Sequence, residues 1–143
     1  FYRAQGYTND YQWAHYDEVP FNHLKKPLSE CKVAVVTTSK PDSEIGRAQQ
    51  QVYSCASLPI PNSMYTDDLS WHKTMTHTND VASFLPLMQL KRCEDEGLIG
   101  ELGDRFHAIP TEYSQRNTRV NDAPEILARC QHDAVDVAIL VPL

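Results

Sequence analysis

The chain has 143 residues, with 13 Lys plus Arg against 19 Asp plus Glu and a formal net charge of −6. That length suits a single hydrophobic core, large enough to be stable with neither a metal nor a disulfide. The acidic balance argues against nucleic acid as a partner, because the basic residues are scattered and form no run longer than Lys25-Lys26 or Lys91-Arg92.

Residues 1–30 mix Tyr2, Tyr7, Tyr11, Trp13, Tyr16 and Phe21 with Asn, Asp, Pro and His, without sustained periodicity. Disordered segments are poor in aromatics, so we expect an ordered but irregular arm that packs on this domain or on a neighbouring subunit. The run Lys32-Val33-Ala34-Val35-Val36-Thr37-Thr38 is β-branched and almost continuously apolar, and Ser39-Lys40-Pro41-Asp42 ends it. It reads as a parallel strand covered on both faces. A short helix is expected within Glu44 to Ser54, a loop at Pro59, Pro61 and Asn62, and weak strand character from Leu69 to Thr78. Pro86, then Leu87, Leu90 and Cys93 on one face, then Gly97 and Leu98, predict a helix over 86–96 closed by a Schellman-type cap. Asp122 with Glu125 three residues on has the form of a capping box, opening a helix that turns Ile126, Leu127 and Cys130 to the core. Val135 to Val141 is a second apolar strand, closed by Pro142.

No run approaches the ~20 apolar residues of a membrane-spanning helix, so no membrane partner is expected. Cys31, Cys55, Cys93 and Cys130 lie far apart and form no Cys-x-x-Cys pair, which points to a soluble protein of a reducing, cytoplasmic compartment. On helix faces, Cys93 and Cys130 read as small core hydrophobes. Phe1 stands where an initiator Met would, so a fragment or processed chain is expected.

Open parallel sheets bind ligands beyond the carboxyl ends of their strands, which singles out Thr37, Thr38 and Ser39 as substrate-binding candidates. The glycines form no phosphate-cradling loop, and neither a Gly-x-Ser-x-Gly elbow nor a His-Glu-x-x-His pattern occurs. The densest polar stretch is Trp71 to Asp80. On a strand, His72, Thr74, Thr76 and Thr78 would share one face and His77 the other, which disfavours a shared metal. His77 with Asp80 could serve as an oriented acid/base pair, a carboxylate fixing the imidazole tautomer. His15, His23, His107 and His132 read as structural or exposed, and Glu94-Asp95-Glu96 as a solvated helix end.

Three blocks in order, Leu28 to Ser39, Phe84-Leu85-Pro86-Leu87 with Glu96-Gly97-Leu98-Ile99-Gly100, and Asp136 to Pro142, resemble the glycine/sarcosine/betaine reductase selenoprotein B family. That resemblance implies reductive cleavage of a carbon–heteroatom bond in a small amine, with a cysteine or selenocysteine as attacking group shortly after the strand that ends at Pro142-Leu143. It also favours His77, within Thr76 to Asp80, as a substrate-contacting residue. None of the four cysteines stands at a predicted strand end, so a thiol or selenol redox group is expected outside this chain and no cofactor within it.

The combined expectation is an irregular aromatic-rich N-terminal arm (1–30) and an α/β domain (31–143) with an open, mainly parallel, flavodoxin-like sheet flanked by helices. Its role would be the substrate-binding portion of a reductase-like enzyme, with His77 and Asp80 catalytic and Thr37, Thr38, Ser39 and His72 binding a small-molecule substrate. Homo- or hetero-oligomerisation is expected. Two alternatives stay open: a non-catalytic binding or assembly subunit, and a His-based metal-dependent lyase or hydrolase.

Overall fold

A computed structural model describes residues 3–6, 8, 9, 15–19, 22–69 and 72–143. The elements run β1 (Lys32–Thr37), β2 (Lys40–Pro41), α1 (Glu44–Arg47), β3 (Tyr53–Ala56), β4 (Met64–Tyr65), α2 (Leu87–Asp95), β5 (Glu101–Leu102), β6 (Arg105–Ala108), α3 (Gln115–Asn117), a π-helical turn (Thr118–Asp122), α4 (Ala123–His132) and β7 (Val137–Val141).

β1 is central. On one side it pairs in parallel with β7, from Val33 opposite Val137 to Thr37 opposite Val141. On the other it meets β5 and then β6, also in parallel, and β3 closes that edge antiparallel to β6. β2 and β4 form a separate antiparallel ribbon. The result is a mixed α/β sheet flanked by helices; the parallel β1 and β7 stand where the apolar runs placed them. β3 is the antiparallel member and the β2–β4 ribbon stands apart, so the sheet is mixed, with three of its four pairings parallel.

The two faces of β1 explain its unbroken apolar character. Val33 and Val35 join Phe84, Leu85, Leu87, Leu90, Leu102 and Phe106 in the larger core, under α2. Val36 points the other way, into a smaller core with Val52, Ile126 and Cys130 under α4. Helix α2 ends as its sequence announces: Gly97 has φ of +71°, its N–H donates to Glu94 O at 2.9 Å, and Leu98 N–H donates to Cys93 O at 2.8 Å. Gly100 serves differently, since a Cβ there would come within 2.5 Å of the Glu30 carbonyl carbon, so only glycine lets this loop lie against the entry to β1.

Several expectations are corrected. The helix expected within Glu44 to Ser54 stops at Arg47, and Ser54 belongs to β3, whose backbone pairs with β6. Leu69 to Thr78 contains no strand among its described residues; His72 Nδ1 accepts the Met75 N–H at 3.2 Å and caps a turn, so His72, Thr74, Thr76 and Thr78 share no strand face. Asp122 makes no capping box, because the π-helical turn runs straight into α4 and the Asp122 carboxylate accepts from Asn117 Nδ2 instead. Leu127 is 58% exposed while Ile126 and Cys130 are buried. Glu94 is more than a solvated helix end, since its carboxylate accepts the Leu102 N–H and ties α2 to β5. Of the expected aromatic arm, Tyr2, Tyr7, Tyr11, Trp13 and Phe21 lie outside the described residues, as does Trp71, and Tyr16 is exposed.

His107 on β6 is fully buried. Arg129 Nη1 donates to Ser54 Oγ at 2.6 Å, and the same hydroxyl is hydrogen-bonded to His107 Nδ1 at 2.8 Å.

Two predictions follow from this packing. Ala134 closes α4 at φ of +55°, where a β-carbon is strained and glycine is not. Ala134→Gly should therefore raise the unfolding free energy by about 0.5–1 kcal/mol, measured by urea denaturation, strain relief exceeding the added freedom of the unfolded chain. Burial, and then the Arg105 and Arg129 guanidinium groups, hold the His107 pKa below its ordinary 6.5. The unfolded chain therefore takes up the proton first, and stability that is full above about pH 6.5 falls as the pH drops through that value. Denaturation midpoints should decline from pH 7 to pH 5 in the native protein and decline less in His107→Leu.

Candidate functional site

Parallel pairing puts the carboxyl ends of β1, β6 and β7 on one rim of the sheet. The tips of β1 and β7 are joined there: Leu143 N–H donates to Thr38 Oγ1 at 2.9 Å, and Thr38 Oγ1 lies 3.4 Å from Leu143 O. Thr37 and Ser39 flank it but face inward. Both are buried, with their hydroxyl oxygens 3.1 Å apart and the Ser39 N–H turned to Thr37 Oγ1. Thr38 is the member of the three that reaches open space.

That space is a cavity of about 190 Å³ between the segments following β1 and β6. Leu69 and Pro110 supply apolar wall; Thr38, Lys40, Tyr65, Asp68, Thr111 and Glu112 supply polar atoms. Lys40 is 9% exposed, and its Nζ donates to Asp68 Oδ2 at 3.0 Å and to Arg47 O at 3.3 Å. Tyr65 O–H donates to the other Asp68 oxygen at 2.9 Å. The bond from Lys40, followed by that from Tyr65, holds the Asp68 carboxyl below the usual carboxylate range, and the carboxylate in turn pushes the Tyr65 phenol up. Thr111 Oγ1 is buried and has no hydrogen-bond partner among the described residues. A buried hydroxyl left in that state costs free energy.

The ribbon places Tyr65 as a partition. Behind it lies a second recess of about 370 Å³ lined by Asp42, Arg47, Ser63, Thr66 and Thr78. The Arg47 guanidinium carbon stands 5.1 Å from the Tyr65 ring centroid, and Arg47 pairs with Asp42. Thr78 bonds Thr66 through their hydroxyls at 2.8 Å, which anchors the segment carrying His77 and Asp80 to the ribbon.

His72, His77 and Asp80 are exposed. His77 Nδ1 accepts the Asn79 N–H at 3.4 Å, and among the described residues no hydrogen bond or ion pair joins His77 to Asp80. His72 spends its Nδ1 on the turn at Met75 and Thr74. The described residues contain no group of three or more His, Cys, Asp or Glu arranged to hold a metal ion. The structure thus gathers Thr37, Thr38 and Ser39 at one rim and leaves the two histidines in surface turns. Sequence reading passed over Lys40, Asp68 and Thr111; the signal available was that Lys40 and Thr111 each follow a strand running to the same rim, but β6 went unrecognised.

All four cysteines are free thiols. Cys31 Sγ bonds the Pro27 carbonyl at 3.3 Å, and Cys93 and Cys130 pack in the cores as expected. Burial pushes the Cys55 and Cys130 thiols up, the direction opposite to that of an activated nucleophile.

Comparison with known proteins gives one distant relative. The chain is 26% identical over 148 aligned positions to the glycine reductase complex component B subunit gamma of Symbiobacterium thermophilum. The alignment takes in 93% of this chain and 34% of that protein, so the chain spans about a third of the length of the curated relative it matches. No family model matches the chain, and no solved structure does. No helix of the described residues is long and apolar enough to cross a membrane.

The thiol environments carry a direct test. At pH 8, iodoacetamide should alkylate Cys55 and Cys130 at least about tenfold more slowly than a free cysteine peptide, read by peptide mass spectrometry, because so little of each is thiolate. Equal rates would show that burial does not govern them.

Proposed function

We propose that this chain is the small-molecule-binding portion of a reductase-type complex component, taking a small amine or related polar molecule at the rim where β1 and β6 end. The observation that carries this reading is the rim cavity itself, with a buried, unpartnered Thr111 hydroxyl beside the Lys40–Asp68 pair. A cation and a carboxylate held 3.0 Å apart offer complementary partners to a zwitterion, and the Thr38 and Thr111 hydroxyls add neutral bonds. Thr37 and Ser39 act by shaping the β1 tip beneath Thr38. His72, His77 and Asp80 belong to the proposal as proton-handling groups on the segment anchored through Thr78.

Reductive cleavage of a carbon–heteroatom bond needs a thiolate or selenolate of lowered pKa. Cys55 and Cys130, whose thiols burial pushes up, do not fit that requirement, so the reading places the nucleophile outside these 143 residues, on further polypeptide or on another subunit. The relative's name, that of a subunit in a complex, favours a second reading as an assembly subunit, in which the rim cavity holds no substrate.

Titration of the isotopically labelled protein with glycine, sarcosine or betaine separates the two. Amide shifts should concentrate at Thr38, Lys40 and Thr111, and Lys40→Ala should weaken binding by at least about tenfold, the loss of a charged hydrogen bond. Shifts absent from the rim, or affinity indifferent to Lys40→Ala with the fold intact by circular dichroism, would leave the assembly reading.

A further inference from the structure

The strand β7 is apolar on both faces, yet only one face is covered. Val137, Ile139 and Val141 pack on the larger core. Ala138 and Leu140 point the other way, onto the α4 face of the sheet, and both are exposed, Leu140 by 71%. In the register, Leu140 lies beside Val36, which α4 buries to 2% exposure. The cover therefore stops one strand short. The outer edge of β7 is also open: among the described residues β7 pairs with β1 alone.

We propose that this face and edge dock a helix followed by a strand parallel to β7, belonging to a longer form of the same polypeptide. The two existing crossovers say where such a unit must lie. From β1 the chain passes over the larger core through α2 and returns beside β1 as β5 and β6. From β6 it crosses in the opposite direction, over the other face through α4, to reach β7. Opposite direction on the opposite face is the same hand, and parallel crossovers keep the right-handed sense almost without exception. A further step outward from β7 repeats the β6-to-β7 direction, so its helix must lie on the α4 face. That is where Ala138 and Leu140 are bare.

A second copy of this chain fits less well. Pairing two β7 edges about a two-fold axis normal to the sheet leaves both copies' Ala138 and Leu140 on one face, between two α4 helices, with nothing to cover them. A parallel sheet needs helices on both faces, which a helix and strand together provide. The relative extends over about three times the aligned length, enough polypeptide for such a unit. This inference is independent of the reductase reading.

The test is amide exchange on the protein isolated from its natural source, beside the 143-residue chain. In the native protein the β7 amides that point away from β1 should exchange at least about tenfold more slowly than in the 143-residue chain, as newly formed ladder bonds require. Leu140→Lys should lower the melting temperature of the native protein by several degrees and leave that of the 143-residue chain within about a degree, since a lone exposed leucine supports little. Equal exchange in the two proteins, a native polypeptide ending at Leu143, or a dimer of the 143-residue chain that Leu140→Lys dissolves would each overturn the proposal.

Discussion

Five consecutive residues of β1 face five of β7, Val33 with Val137 through Thr37 with Val141, and this parallel register organises the remainder of the molecule. It satisfies one side of the β1 backbone while β5 and β6 take the other, so the most buried segment of the chain leaves few main-chain groups without partners. It also sorts side chains between the cores. A slip of β7 by one residue would turn Val137, Ile139 and Val141 out of the larger core and drive Ala138 and Leu140 towards it. Volume lost from so many positions at once could not be recovered by repacking, since cavities of that kind each cost about 2–5 kcal/mol.

Two polar networks operate within this frame under different constraints. At the rim, Lys40 is nearly buried, and its charge is tolerable because Asp68 and the Arg47 carbonyl receive its protons. Removing one partner of such a pair strands the other charge, which is worse than losing both. Beneath α4 the network is neutral at its centre. Arg129 gives to Ser54, the Ser54 hydroxyl bonds His107 Nδ1, and His107 Nε2 has no hydrogen-bond partner among the described residues. The first network surrounds a cavity and can exchange partners with a ligand. The second runs from the partly exposed Arg129 inward to the fully buried His107 and serves the packing of α4 on the sheet.

What the sequence disclosed followed from how many faces of an element are covered. β1 and β7 were legible because residues on both faces are apolar, and α2 because Leu87, Leu90, Cys93 and Gly97 fall at helical spacing with a glycine stop. β3 and β6 were hidden for the opposite reason. Tyr-Ser-Cys-Ala and Arg-Phe-His-Ala owe their burial to a cross-strand serine–histidine bond and to a strand already beside them, neither of which leaves an apolar alternation. Of the candidate site, the rule of strand ends reaches Thr37, Thr38 and Ser39 from the sequence, whereas Lys40, Asp68 and Thr111 come together only once β6 is known to run beside β1. The polar density of the histidine-rich stretch serves in part to cap turns, where His72 and His77 each spend a ring nitrogen on a nearby backbone N–H.

The open edge and the rim cavity bear on one another through geometry. Neighbouring strands lie about 4.8 Å apart, so a strand docked outside β7 would end about 15 Å from the tip of β6 and open onto the same rim. The loop leaving it would face the cavity past Thr38, whose bond to Leu143 already marks the β1–β7 side of the entrance. In open parallel sheets the reacting groups come from loops at carboxyl ends of different strands.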